Sequence, residues 1–344
     1  MSVTRRELFK IAGATGAMIA APGIVRAQKL EQTKVQVAVG GKALVYYLPL
    51  TIAEQLGYFK DEGLDVRIAD FAGGSKALEA VVGGSADVCS GAFEHTIILQ
   101  AKGQFYRTFV LQGRAPMIVL GAGKKMGYKS PADLKGKKVG VTAPGSSTSM
   151  LVNFFLSKNG MKASDVSFIG VGAGAGAVSS LRNGQVDAMS NVDPVVSTLE
   201  TGGDMDVIVD TRTLKDTLAV FGGNMPAGCL YASQEYLTAN PNTAQALANA
   251  IVRANKWIQK AGADEIAKRV PPSYLLGQPE VYKASLTKSL GGLSPDGIVP
   301  DDGPKTSLAA QASYLPNFDA SKIDLSKIWT NDFAKRANEK YPNG

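Results

Sequence analysis

Histidine and cysteine are almost missing from this chain: His95 is the one histidine, and Cys89 and Cys229 are the two cysteines, in 344 residues. Two cysteines are too few for a disulfide framework, and their apolar, strand-like surroundings predict buried thiols. With one histidine and two cysteines far apart in sequence, an ordinary His/Cys metal centre is excluded, which leaves only an all-oxygen ion site open. Long apolar runs are missing too. The stretch from Ile11 to Val25 is about 15 residues and holds Pro22-Gly23, short of the roughly 20 residues a membrane-spanning helix needs. Basic residues are scattered rather than clustered in spite of a net charge of +7, so nucleic acid is not indicated. There is no ATP-binding P-loop and no Ser/His/Asp-type grouping. The one glycine-rich run suggestive of a dinucleotide fingerprint, "GVGAGAGAV", has no acidic residue on a following strand at the right distance. No cofactor is predicted.

What is present starts with a leader. Arg5 and Arg6 precede the apolar stretch, and Val25-Arg26-Ala27 offers a small-residue cleavage site, so residues 1–27 are expected to be removed after Ala27. "TRRELFK" resembles the twin-arginine export motif. Removal lowers the net charge from +7 to about +4 and leaves about 317 residues, enough for two domains. The location expected is a periplasm.

An internal repeat exposes the architecture. "GGSKALEAVVGGSADVCSG" from Gly73 lies over "AGAGAVSSLRNGQVDAMSN" from Ala173, pairing Gly74 with Gly174, Gly84 with Gly184, Asp87 with Asp187 and Ser90 with Ser190. A period near 100 residues means two similar halves rather than a solenoid. In the first half Leu48, Ile52, Leu56 and Phe59 form a helical stripe, Pro49 suits a first turn, and Gly57 can end the helix. Leu64, Val66 and Ile68 then alternate with charged residues as a strand, and Ser75 is a candidate N-cap for the next helix. Strands alternating with helices predict an α/β molecule of two lobes, each a mainly parallel sheet flanked by helices. Lobe I is expected over 28–118 and 228–344, and lobe II over 119–227. Much of the helix-rich chain after Pro241 is expected to pack on lobe I.

In open α/β sheets ligands sit beyond the carboxyl ends of strands. Six loops answer that description: 40–47, 71–75, 90–95, 143–148, 171–176 and 190–194. Several run into helix N-termini, where free N–H groups favour anions. A cleft facing these loops suits a small, partly negative solute. Gly40-Gly41 allow close backbone approach, while Tyr46 and Tyr47 offer flat walls with hydroxyl tips. Gly74, Ser75, Ser146, Ser147, Thr148, Gly174 and Asn191 fall in the same loops.

Four segments, "YYLPLTIAEQLGYFKDEGLDVRI", "FAGGSKALEAVVGGSADVCSGAFEHT", "PADLKGKKVGVTAPGSSTSMLVNFFL" and "LRNGQVDAMSNVDP", resemble the solute-binding proteins of ABC importers. The resemblance is to the nitrate/sulfonate/taurine-type group, which also includes pyrimidine-precursor binders, and it runs through the whole chain after the leader. It implies a two-lobed periplasmic binding fold that closes on its solute by hinge motion. It implies as partners a small-molecule solute and a membrane permease driven by a separate ATPase, with the binding protein itself a monomer. Eukaryotic pyrimidine-synthesising relatives carry a cysteine-rich iron motif; here only Cys89 stands in the matching region, which does not support that activity. A receptor for a sensor and a periplasmic enzyme are the alternative classes.

Individual side chains pull in different directions. His95 ends the loop after "SGAFE", where it either meets ligand or is structural. Glu94 and Asp193 would repel a simple anion and favour an amine, as in a zwitterion or an aminopyrimidine, unless they cap helices instead. Arg114, in the presumed hinge, offers planar bidentate recognition of a carboxylate or sulfonate, or else an interlobe salt bridge. Lys42 adds a positive charge at the first loop or is solvated. Phe93 joins the tyrosines as a ring able to sandwich a ligand.

Overall fold

The computed structural model describes residues 29–344; the leader, with its twin-arginine motif and expected cleavage, lies outside the described residues. The strands in chain order are Lys34–Gly40 (β1), Asp65–Phe71 (β2), Val88–Ala92 (β3), Tyr106–Leu111 (β4), Ile118–Gly123 (β5), Lys138–Val141 (β6), Ser167–Gly170 (β7), Ala188–Val192 (β8), Met205–Asp210 (β9) and Gly228–Ser233 (β10). The helices are Leu48–Gln55 (α1), Tyr58–Asp61 (α2), Gly74–Val82 (α3), Glu94–Ala101 (α4), Ser147–Lys158 (α5), Ala175–Arg182 (α6), Val195–Thr201 (α7), Leu214–Phe221 (α8), Gln234–Ala239 (α9), Pro241–Arg269 (α10), Pro279–Ser289 (α11), Gly303–Ala312 (α12) and Asp332–Lys340 (α13).

Two sheets form, in the orders β2-β1-β3-β10-β4 and β7-β6-β8-β5-β9. Both are mixed. β1 pairs in parallel with β2 and β3, whereas β10 pairs antiparallel with β3 and β4. The second sheet repeats the plan, with β6 parallel to β7 and β8 and β5 antiparallel to β8 and β9. The expectation of mainly parallel sheets therefore holds for the βαβ part of each lobe. β5 and β10 reverse it because each arrives from the opposite lobe, without a crossover helix to turn it round.

The repeat is structural in origin. Asp87 and Asp187 hold the start of the neighbouring strand in the same way: Gln36 N–H donates to Asp87 Oδ2 at 2.7 Å and Lys138 N–H to Asp187 Oδ2 at 2.8 Å. Gly84 and Gly184 both take the left-handed conformation, φ 77° and 69°, that turns the chain out of α3 and α6. The helical stripe of the first half buries Leu48 and Ile52 in α1 and Phe59 in α2, with Gly57 at φ 76° breaking the helix between them. Ser75 differs from expectation. The N-cap of α3 is Gly73, and Ser75 lies in the first turn, its polar atoms turned towards the other lobe.

Three chain segments lace the lobes together: 112–117, 222–227 and 289–294. Arg114 and Ala115 N–H donate to Gly292 O at 2.8 and 3.1 Å, and Ala227 N–H donates to Gly113 O at 2.9 Å. After Pro241, α10 packs on α1 and α2 and α13 packs on α10 and β4, all on the first sheet's side. Helix α11 packs on α10 and also on α7 of the second lobe, and α12 touches both α4 and α5. Among the described residues no helix is long and apolar enough to cross a membrane. Cys89 and Cys229 are free thiols in the core.

Candidate ligand site between the lobes

The loops at the carboxyl ends of β1, β2 and β3 meet those of β6 and β8 face to face, and they meet shut. Ser75 N–H donates to Ser146 Oγ at 3.0 Å, and Ser75 Oγ–H donates to Pro144 O at 2.9 Å. Val45 N–H donates to Asp193 O at 3.0 Å, a second stitch across the gap. Glycine makes the approach possible. A Cβ on Gly41 would lie 2.5 Å from Ala173 Cβ, and one on Gly73 would lie 2.8 Å from Ala143 Cβ.

Inside the closed loops are two adjoining chambers that share Tyr46, Ile118 and Ser147. One, with a cavity volume of only ≈ 20 Å³, about the room of a single water, lies between Glu94, Met150, Phe154, Phe221, Met225 and Tyr314. The other, also ≈ 20 Å³, lies against Tyr47, Gly74, Thr142, Ser146 and Thr148. Neither wall contains a lysine or an arginine. Glu94, at 4% exposure, is the sole charged side chain in either lining. Burial pushes its carboxyl up from the ordinary range; its own N–H and the Ser147 hydroxyl pull the other way. The Tyr46 hydroxyl is buried without an aligned partner. Its ring stands edge-on to Tyr47 with centroids 4.8 Å apart. A buried carboxyl, an unpartnered phenol and a hydroxyl on an otherwise apolar wall can accept from N–H groups on a flat or apolar molecule.

Tyr46, Tyr47, Gly74, Glu94, Ser146, Ser147 and Thr148 thus come together around the chambers, with Ser75 stitching their rim. The other candidates lie elsewhere, each for a visible reason. Lys42 is ion-paired with Glu54 at 2.6 Å, while the N–H groups of Gly41 and Lys42 both donate to Asp70. Phe93 is packed in a core cluster with Ala77, Cys89 and Tyr231. Arg114 donates through Nε to Gly291 O at 3.1 Å and belongs to the hinge. Asn191 donates to Gly172 O, and Gly174 is the N-cap of α6. Asp193 accepts from Ser197 N–H and Ser289 Oγ–H and lies 3.6 Å from Arg212, so its carboxylate is fully engaged outside the chambers.

Met150, Phe154, Phe221, Met225, Gln311 and Tyr314 were not anticipated. The only sequence signal of the first four is hydrophobicity, which core residues share. Gln311 and Tyr314 come from α12 and the turn after it, far down the chain from every loop motif. No group of three or more His, Cys, Asp or Glu able to hold a metal ion occurs among the described residues.

His95 stands at the seam rather than in a chamber. Its Nδ1 is 3.1 Å from Tyr231 Oη, and its buried Nε2 faces the Gly145 backbone of the opposite lobe without an aligned hydrogen bond. Burial lowers its pKa from 6.5 to about 4, only partly opposed by Gly145. A histidine held neutral contributes stability that is complete above its unfolded value and is lost as pH falls through 6.5 towards 4. The protein should therefore lose about 1 kcal/mol between pH 7 and pH 5.5 on this account. Denaturant melts at the two pH values check it: His95→Gln should remove that increment, and an unchanged pH dependence in the variant would rule His95 out as its source.

The profile of the family described as NMT1/THI5 like matches residues 45–262. A solved structure of a Bordetella bronchiseptica RB50 protein superposes with a TM-score of 0.91 at 74% identity, covering 92% of this chain and 100% of that one. The alkanesulfonate-binding protein SsuA from Xanthomonas axonopodis pv. citri, solved bound to MOPS, shares the fold with a TM-score of 0.67 at 21% identity over 88% of this chain and 100% of that one. In sequence, the putative binding protein YtlA of Bacillus subtilis is 26% identical over 275 residues, 78% of this chain and 79% of the relative. A 4-amino-5-hydroxymethyl-2-methylpyrimidine phosphate synthase of Candida albicans is 25% identical over 241 residues, 67% of this chain and 68% of the relative. The architecture is the periplasmic-binding-protein fold.

Proposed function

Because the chain belongs to the NMT1/THI5-like family, we propose that it is an extracytoplasmic solute-binding protein that closes its lobes on a small molecule with an apolar or aromatic body and N–H donors. Glu94 is the observation that carries this reading: a buried carboxyl in a chamber lined by Tyr46, Ser147 and Tyr314, with no cation beside it. A solute bearing an amine, an amidine or an aminopyrimidine edge supplies the donors that such a carboxyl needs. A bare nitrate or sulfonate would meet Glu94 with no lysine or arginine to offset it. One feature supports a second reading, a zwitterion of the taurine kind: the chamber against Tyr47 is bordered by Ser147 and Thr148 at the N-terminus of α5, where an acidic end could rest while its amine meets Glu94.

In this reading residues 1–27 direct export by the twin-arginine route to the periplasm. The lobes are 28–118 with 228–344, and 119–227. The loaded monomer delivers its solute to a permease driven by a separate ATPase subunit. A synthase role, as in the names of several relatives, is supported less well. The thiol of Cys89 is buried and pushed up to about 12, and His95 lies outside both chambers.

The test is a melting panel of 4-amino-5-hydroxymethyl-2-methylpyrimidine, benzamidine, taurine, MOPS and nitrate. A ligand at 100 times its Kd adds about 2.7 kcal/mol of stability. Shifts are expected with the N–H donors, and Glu94→Gln should weaken binding of the responding compound about 10- to 30-fold by calorimetry, the worth of a hydrogen bond to a charged group. Shifts with MOPS and nitrate alone would overturn the assignment of Glu94.

A further inference from the structure

The Glu94 chamber has a third wall that belongs to neither loop set. Residues 300–318 leave the first lobe, form α12, and return to it. Both ends are fastened there. Val299 N–H donates to Asn331 Oδ1 at 2.9 Å and Asn331 Nδ2–H donates back to Val299 O at 3.0 Å. On the return side Asp324 N–H donates to Gln100 Oε1 at 2.6 Å, and Thr108 N–H of β4 donates to Ile328 O at 2.9 Å. Val299 and Ile328 are buried in the first lobe's core, against which Leu308 and Phe318 also pack.

Between those anchors the segment reaches across the cleft. Asn224 Nδ2–H donates to Asp302 Oδ1 at 2.8 Å and Asn224 N–H to Asp302 Oδ2 at 3.2 Å, Ser157 Oγ and Ser313 Oγ are 3.4 Å apart, and Ala310 packs with Phe154 and Met225. Apart from these, Gln311 Nε2 finds only the Met150 sulfur at 3.8 Å, and Tyr314 donates to Gln311 Oε1 at 2.6 Å. Gln311 and Tyr314 both line the ligand chamber. The polar contacts across the gap are thus few, beside close packing of Gly303 on Pro226 and of Thr306 on Gly223, while those at the two ends are continuous with a core.

We infer that the 300–318 segment is a gating arm: it rides on the first lobe, latches onto α5 and the 222–227 crossing of the second, and must unlatch before anything leaves the chamber. With 73–75 hydrogen-bonded to 144–146 on one side, the chamber's other side is closed by α12 against α5. Separating the lobes pulls α5 away from an arm tethered at both ends. Gln311 and Tyr314 then make the latch sensitive to what fills the chamber.

The test needs no ligand, so its failure is distinct from failure of the solute assignment. In a Ser157→Cys/Ser313→Cys variant, oxidation should staple the arm to α5; native Cys89 and Cys229 are fully buried and out of reach. Amide hydrogen exchange of the unliganded protein is read at residues 74–76 and 146–148, with β1 as an internal reference. Oxidation should slow the seam amides at least tenfold, with reduction restoring them, and leave β1 unchanged. Equal seam exchange in the oxidised and reduced protein would show that the lobes open without the arm and overturn the inference. Asp302→Ala, which removes the latch to Asn224 without a staple, should speed the same amides several-fold; no change there would count equally against it.

Discussion

Gly73→Val should weaken solute capture by about two orders of magnitude while leaving the melting temperature of the unliganded protein nearly unchanged. The backbone at Gly73 is extended, φ −170° and ψ 169°, a conformation any residue adopts. What excludes a side chain is the opposite lobe: an added Cβ would lie 2.8 Å from Ala143 Cβ and N and 3.0 Å from Ser146 Oγ. Those atoms are near only when the lobes are shut. The clash is therefore absent from the open state and present in full in the closed one, which is the requirement for shifting a two-state equilibrium. Overpacking by one or two methyl groups costs typically 1–3 kcal/mol, and valine, with branches on both sides of that Cβ, belongs at the upper end. About 3 kcal/mol is a factor of roughly 150 in Kd. Calorimetry with the compound that raises the melting point checks the affinity, and small-angle scattering checks the shape. The radius of gyration of the variant should stay at its unliganded value under ligand concentrations that contract the native protein. Native affinity in the variant would mean that the seam at 73–75 is not part of the closed, ligand-bearing state.

The difference between Gly73 and the residues around it also shows what could be read in the sequence. The two-lobed α/β plan was legible because the repeat carries it: Asp87 and Asp187 make the same bond to the neighbouring strand, and the loops at equivalent strand ends had to face one another. Tyr46, Tyr47, Glu94 and the Ser146–Thr148 turn could be placed at the gap between the lobes on that basis alone. Direction was harder. A residue next to a loop motif points into the cleft or away from it according to backbone dihedrals that local composition does not fix. Hence Phe93 turned into a core and Lys42 turned to Glu54, although each adjoins residues near the cleft. The arm was invisible for another reason. Its chamber residues, Gln311 and Tyr314, are brought to the site by anchors at Val299 and Ile328 that involve Asn331 and Thr108, partners distant in sequence with no motif between them. The mixed sheets follow the same logic: strand direction in β5 and β10 is set by where the chain crosses, not by what the strands contain.

Arg212 gives no sequence signal at all and should carry the largest stability effect of any side chain in the second lobe. It is fully buried, with Nε and Nη2 on Asp210 at 2.6–3.0 Å, Nη1 and Nη2 on Glu200 at 2.6 and 3.1 Å, and Asp193 at 3.6 Å. One guanidinium thus serves three carboxylates, assisted from outside by Lys288. Asp193 in turn accepts from Val45 N–H through its carbonyl, so the cluster holds one of the stitches that close the cleft. Arg212→Met keeps most of the volume and leaves those carboxylates without their shared cation. Breaking a buried pair from one side costs about 3–5 kcal/mol. At roughly 2 °C per kcal/mol for a chain of this size, the melting temperature at pH 7 should fall by about 6–10 °C. The pH dependence separates this mechanism from lost packing. Burial pushes the Asp210 carboxyl up, but the hydrogen bonds and charge of Arg212 outweigh it and hold it below its ordinary value. A carboxylate with a depressed folded pKa contributes stability that is present above its unfolded pKa and is lost as pH falls through the folded one. In Arg212→Met that depression is gone and the stranded carboxylates take up protons on acidification, so the deficit against the native protein should be largest at pH 7 and shrink steadily towards pH 4. A deficit of the same size at both ends would assign the loss to packing alone, and one under 1 kcal/mol at pH 7 would show that the cluster does not hold the second lobe together.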